Sequence, residues 1–299
     1  MASLLIHAIE QGLAYGIAAL GVFLTYRVLK FPDLTVDGSF VTGAAIASLL
    51  LVNHGIDPFT VLVIAFAAGS LAGVVTGILN TRLGITNLLA GVLTMIMLYS
   101  INLRIMGRPN LSLLRVDTVT RIVDSLWTPL GALAILAFIG LLTLAIKFLL
   151  DAFLRTEVGF ALRATGDSEA MITAHGVDTK RMKVLGLALS NGLVALSGAL
   201  VAQYSGFADV GMGIGTIVTG LAAVIIGGTL IRSNRVGWMT LSVLVGSLVY
   251  RVAVSLALRY GYVVGFQASD LKLITSLLVI LALVLPRIRE QRMRKVSAC

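Results

Sequence analysis

Nine apolar runs, each near the length of a membrane span, decide what this chain can fold into. They lie at roughly 4–26, 38–53, 58–81, 85–106, 130–150, 184–207, 215–231, 237–257 and 271–286 of the 299 residues. About 20 predominantly apolar residues cross a bilayer as one helix. The expected fold class is therefore all-α, a polytopic transmembrane helical bundle of about 8–10 spans. Only 12% of residues are charged, against about 25% in soluble domains, and no stretch is left for a soluble domain. Any soluble catalytic machinery must sit on another chain.

Two runs are short or interrupted. After Phe31-Pro32 the chain carries Asp33 and Asp37 before its apolar stretch begins, and 215–231 is short and flanked by glycine. Both are candidates for broken or re-entrant helices, which in membrane proteins line cavities. Asp33 and Asp37 either face water or cap the helix starting near Gly38. A broken helix held by Thr35, Asp37 and Ser39 is the functional alternative. Gly227 and Gly228 inside an apolar run disfavour helix and mark a second candidate break. Asp33, Asp37, Ser39, Asn87, Thr94, Asn191, Gly227 and Gly228 thus form the candidate substrate path. For Asn87, Thr94, Asn102, Ser190, Asn191 and Ser197, interhelical hydrogen bonding is the plainer alternative. Gly69, Gly73 and Gly77, spaced by four, read as a helix-packing face.

The charge of +9 fits basic residues held on the cytoplasmic side better than a nucleic-acid partner. Arg287, Arg289, Arg292, Arg294 and Lys295 follow the last run, which places the carboxyl terminus in the cytoplasm. Counting back through the runs puts 16 of the 23 Lys and Arg inside. Nine crossings then put the amino terminus outside, whereas a segment near 33–53 that turned back would put it inside. The first run carries Glu10 and Gly12 without a cleavage site and reads as a retained span. Cys299 is the lone cysteine, and His7, His54 and His175 are dispersed. No disulfide, metal site or catalytic residue is expected, nor any cofactor on this chain.

The loop at 151–183 is long, charged and internal on this topology. It reads as two short helices: Thr156 capping Glu157 to Ala164 with Gly166 as the stop, then Asp167 capping Ser168 to Ala174 with Gly176 as a left-handed stop. Asp178 caps the helix that follows. Met171, Ala174 and His175 share one small, largely apolar face, which suits a partner or a membrane interface. At 107–129, Leu111, Leu113, Leu114, Val116, Val119 and Ile122 alternate with polar residues, as in a partly ordered cap.

The order of Gly159-Phe-Ala-Leu-Arg163-Ala-Thr-Gly166-Asp167, then Gly176-Val177, resembles the coupling loop of permease subunits of ATP-binding-cassette importers, in the branched-chain amino acid and ribose permease superfamily. Three further stretches agree: Leu196-Ser-Gly198-Ala-Leu with Gln203-Tyr-Ser-Gly206, Leu221 to Thr229, and Phe31-Pro-Asp33-Leu-Thr-Val-Asp37-Gly38-Ser39, which marks a subgroup. Ser168, Met171 and Ile172 depart from much of the superfamily but not from this subgroup.

The resemblance implies that 1–299 is one permease domain with 151–183 as its cytoplasmic coupling loop. It implies coupling residues Glu157, Gly159, Arg163, Gly166, Asp167, Ala170, Met171, His175 and Gly176. It implies an ATPase subunit carrying ATP and Mg, an extracytoplasmic solute-binding protein, and a second permease chain, most simply a homodimer. The setting implied is a prokaryotic inner membrane, the solute an amino acid. No Gly-x-x-x-x-Gly-Lys-Ser/Thr occurs, so this chain has no phosphate cradle of its own. An ion- or proton-coupled secondary transporter is the alternative, with Glu10, Asp33 and Asp37 as its only acidic candidates.

Overall fold

The computed structural model describes residues 2–126 and 132–263, and beyond them 273, 275–277 and 279–280. In chain order the elements are α1 (Ala2–Phe23), a π turn (Leu24–Val28), α2 (Thr35–His54), α3 (Pro58–Thr81), α4 (Asn87–Met106), β1 (Asn110–Ser112), α5 (Val119–Leu126), α6 (Ala132–Arg155), α7 (Glu157–Asp167), α8 (Glu169–Ala174), α9 (Thr179–Ser205), β2 (Phe207–Asp209), α10 (Thr216–Leu230) and α11 (Val236–Val263). Each apolar run before 271–286 becomes a helix. Among the described residues, seven helices are long and apolar enough to cross a membrane, and α10, with 15 residues, is not. Most of 271–286 lies outside the described residues.

The central helix is α9, packed by α1, α2 and α3. Its small residues allow this, because close backbone approach is what packs helices in lipid. Beside it, Gly69, Gly73 and Gly77 of α3 face Asn191, Leu187 and Val184 in turn, so the two helices run antiparallel. Gly43 of α2 lies against the Ala195 carbonyl while Gly198 of α9 lies against the Phe40 carbonyl. At that crossing neither glycine has room for a side chain.

Hydrogen bonds fix which loops share an end. Ser190 and Ser197 donate to Gly21 O and Ala14 O, both at 2.7 Å, so α1 runs antiparallel to α9. The start of α1 therefore sits with the end of α9, where the Tyr204 hydroxyl donates to Glu10 at 2.8 Å and lies 3.0 Å from His7 Nδ1. This far end is opposite to α7 and α8. It also carries 55–57 and the 107–126 cap, in which β1 pairs antiparallel with β2 and Gln203 Oε1 accepts from Val119 N at 2.9 Å. The cap packs on its own bundle through buried Leu111, Leu113 and Val119. At the α7–α8 end a charged pair inside α6, Lys147 and Asp151 at 2.6 Å, meets α11, whose Thr240 hydroxyl donates to Asp151 at 2.6 Å.

Candidate functional site

Each interrupted run forms one unbroken helix, α2 over Thr35–His54 and α10 over Thr216–Leu230, and the break is the irregular segment that precedes it. The first break follows α1. Its last turn widens to i→i+5 bonding, with Leu29 N donating to Leu24 O at 2.9 Å. Lys30 then takes φ +53°, uncommon without glycine, and Pro32 brings no amide hydrogen. The chain returns into the bundle as an irregular segment packed on Gly91 of α4, close to Leu34 N. From there α2 starts at Thr35, three residues before the expected Gly38.

Asp33 is the anchor of that return. It is 2% exposed. One carboxylate oxygen accepts from Thr35 N at 2.9 Å, filling the cap role for α2, and the other accepts from Asn191 Nδ2 at 2.8 Å. Ser39 donates to Asn191 Oδ1 at 2.7 Å, and the Thr35 and Thr76 hydroxyls are 2.7 Å apart. Asp33, Ser39 and Asn191 are thus brought together as a closed, hydrogen-bonded cluster of α2 and α9. Thr94 is buried and donates to Ala90 O of its own helix, and Asn87 is held by Asn80 Nδ2 at 2.7 Å near the α3–α4 turn. Neither joins the cluster.

The second break precedes α10. After β2 the chain turns through 210–215 without helix, and Gly213 lies against the Asp37 carbonyl. Asp37 caps α10, not α2: one oxygen accepts from Gly215 N at 3.0 Å and the other from Ile217 N at 2.8 Å. These are free amides of a helix start, which favours a carboxylate there. The structure also corrects the expected break at Gly227-Gly228, because α10 runs unbroken to Leu230. Gly227 lies against the Ser242 carbonyl of α11, whereas Gly228 faces open space.

The loop between α6 and α9 matches its expected outline with two corrections. Thr156 caps α7, accepting from Gly159 N at 3.2 Å, and Asp178 caps α9, accepting from Lys180 N at 3.0 Å. Gly166 does not stop α7, which continues to Asp167; the glycine instead lets α7 press on the Val28 carbonyl. Ser168, not Asp167, caps α8, accepting from Met171 N at 3.4 Å. Asp167 is left to pair with Lys30 at 2.9 Å. Gly176 closes α8 at φ +83°, the left-handed turn expected of it.

Ile172 alone buries α8 against the protein, leaving Ala170, Met171, Ala174 and His175 exposed. His175 Nδ1 lies 2.8 Å from Met171 O. On α7, Glu157 and Phe160 are exposed and Gly159 lies against Phe153 O. Arg163 stacks its guanidinium 5.5 Å from the Phe160 ring, and its buried Nε has no partner among the described residues. Arg163, Phe160 and Met171 line a cavity of about 1000 Å³ that also touches Arg27, Lys30 and Pro32, so the loop and the first break share one surface. No three His, Cys, Asp or Glu gather as a metal site among the described residues.

Sequence reasoning missed the role of Lys30, the α2–α9 glycine crossing and the Lys147–Asp151 pair. For the last a signal existed, since opposite charges four apart at the end of an apolar run find each other on one helix face.

The family described as the branched-chain amino acid transport system permease component matches residues 4–285. The chain belongs to this family of ABC importer permeases. Among its relatives, the tyrosine transport system permease protein of Clostridioides difficile is 43% identical over 276 residues, 92% of this chain and 89% of that one. A probable branched-chain amino acid transport permease protein, LivH, of Methanocaldococcus jannaschii is 28% identical over 61% of this chain and 60% of its own. The ribose import permease protein RbsC of Haemophilus influenzae is 25% identical over 78% and 71%. No solved structure matches. The protein is thus a multi-pass membrane permease subunit and not itself an enzyme, which sets aside the secondary-transporter alternative.

Proposed function

We propose that this permease imports an amino acid with an aromatic or large apolar side chain, driven by an ATPase that docks on residues 151–183. The name of the tyrosine transport relative supports the solute class. One observation carries the coupling: the loop that exposes Met171 and His175 is also strapped to the first helix break, through Gly166 on Val28 and Asp167 on Lys30. A push on α7 or α8 therefore reaches Val28 and Lys30 directly, and through them the segment of Pro32 and Asp33.

In this reading the α7–α8 end and the carboxyl terminus face the cytoplasm of a prokaryote, and the far end faces an extracytoplasmic binding protein. Glu157, Gly159, Arg163, Gly166, Asp167, Ala170, Met171, His175 and Gly176 serve coupling. Two copies of the chain form the path, with ATP and Mg held by the ATPase. Binding of ATP favours one of two permease arrangements and hydrolysis releases it. Within each chain the Asp37 junction lies beside the path, while Asp33, Ser39 and Asn191 hold its wall. Asn87, Thr94, Gly227 and Gly228 take supporting places along the helices.

The test is reconstitution of the permease with its ATPase and binding protein in proteoliposomes, followed by ATP-dependent uptake of L-tyrosine. Met171→Asp places a charge on the exposed face of α8, where an apolar partner groove would have to desolvate it. It is expected to leave the permease folded and to abolish both ATPase co-purification and uptake. An ATPase retained at the native ratio sinks the docking assignment. Cysteines at Ser168 and Ser233, with Cys299 removed, are expected to label from the cytoplasm, and one at Ser112 from outside.

A further inference from the structure

Beside the Asp37 junction lies a cavity of about 450 Å³, bounded by α2, α4 and the turn before α10. That is within the range of small-molecule sites, which are mostly apolar with a few placed polar groups. Val41, Met95, Ile96, Tyr99, Val210 and Ile214 form its apolar lining, and among the described residues Asp37 and Asn102 are its only polar side chains besides the Tyr99 hydroxyl. Among the described residues no Lys, Arg or His lines it.

Asn102 is 0% exposed. Its Nδ2 donates to Gly38 O at 3.2 Å, and its buried Oδ1 has no partner among the described residues. A buried acceptor left without a donor is costly, and a donor that reached it would repay that cost. Asp37 likewise offers oxygens only, and the amides at the start of α10 are already taken by them. The buried polar side of the cavity thus suits a group rich in N–H, and its one side-chain donor toward a carboxylate is the Tyr99 hydroxyl at the open side. Ile96 and Tyr99 stand 57% and 56% exposed at the open side, so a flat or branched apolar body has a ring and a large aliphatic surface to lie on.

We infer that this cavity is a subsite for the ammonium group and large apolar or aromatic side chain of the transported amino acid, with Asn102 Oδ1 and Asp37 facing the ammonium. The carboxylate points out through the open side. The inference rests on the proposed reading of an amino acid as solute, and it adds where and by which end the solute is held.

The experiment is equilibrium binding of tritiated L-tyrosine to the purified full-length permease in lipid nanodiscs. Two competitors separate the ends of the ligand: tyramine keeps the ammonium and lacks the carboxylate, and 3-(4-hydroxyphenyl)propionate does the reverse. Saturable binding is expected, displaced by tyramine about as well as by L-tyrosine and about tenfold less well by the propionate. Asn102→Leu is expected to weaken binding about tenfold. Ile96→Trp, at the exposed mouth where folding is not at stake, is expected to block it.

Equal displacement by the propionate, or unchanged binding in Ile96→Trp, overturns the subsite. So does a wild-type protein with no saturable binding, even where the proteoliposomes take up L-tyrosine and the import reading stands. Binding retained without ATP-dependent uptake supports the subsite and counts against the import reading alone.

Discussion

The two helix breaks are built on opposite plans. At the first, the irregular chain of 29–34 is sealed by Asp33, Asn191, Ser39, Thr35 and Thr76, each partnered inside the protein. At the second, the turn of 210–215 is held by its own backbone bonds, by Val210 N donating to Pro109 O at 2.9 Å, by Asp209 accepting from Gly211 N at 2.7 Å, and by Asp37 reaching across from α2, next to a cavity. Irregular backbone at membrane depth must be satisfied by protein or water. A break answered by buried side-chain bonds between helices resists change, whereas one answered by local turn bonds and a single interhelical cap at a cavity edge is where rearrangement costs least. The second junction is accordingly the better hinge.

That contrast can be broken most violently at the α2–α9 crossing. Gly198→Leu drives a side chain into the Phe40 carbonyl, and an overpacked backbone contact of this kind is expected to cost about 3 kcal/mol or more. Size-exclusion of the detergent-solubilised protein should show loss of the monodisperse species. Recovery of wild-type behaviour would mean that the crossing opens freely.

Asn191→Leu attacks the sealed break itself. It leaves one Asp33 oxygen and the Ser39 hydroxyl without partners, at an expected cost of about 2–4 kcal/mol, read as a fall in Tm. Asp33→Leu in the same chain should restore part of the loss, because no carboxylate is then left stranded. A drop no larger than that of a surface variant would show that water reaches the cluster.

At the open junction the expected effect is smaller and local. Asp37→Ala removes the cap of α10 and should cost about 1–2 kcal/mol, with amide exchange quickening at 215–217. Asp37→Asn keeps one acceptor where the carboxylate uses two, so it should fall between the two. Exchange unchanged at 215–217 would refute the cap. Least of all, Ser190→Ala removes one helix-to-helix bond to Gly21 O and should cost about 0.6 kcal/mol, measurable only by careful thermal titration.

Span positions were legible because burying a helix in lipid demands a long apolar run, and α3 and α10 fall within a residue of their expected bounds. The caps Thr156 and Asp178 and the turn at Gly176 were legible because their partners are within three residues. Asp37 shows where such reasoning stops: its type and place suggest a cap, but the helix it caps begins about 180 residues later. Gly166 and Gly227 mislead for a related reason. Read locally they weaken a helix, yet each is needed for a carbonyl on another element to come close.

Asp37 and Asp33 also set a problem for synthesis. Asn191 leaves the ribosome 158 residues after Asp33, and Ile217 emerges 180 residues after Asp37. At about 5–20 residues per second, α2 waits roughly 10–30 s with two carboxylates that lack their partners on α9 and α10. During that interval the nascent segment is a poor membrane resident on its own terms. Shelter in the insertion machinery, or a dwell near the membrane surface until α9 and α10 arrive, lowers the cost of those carboxylates.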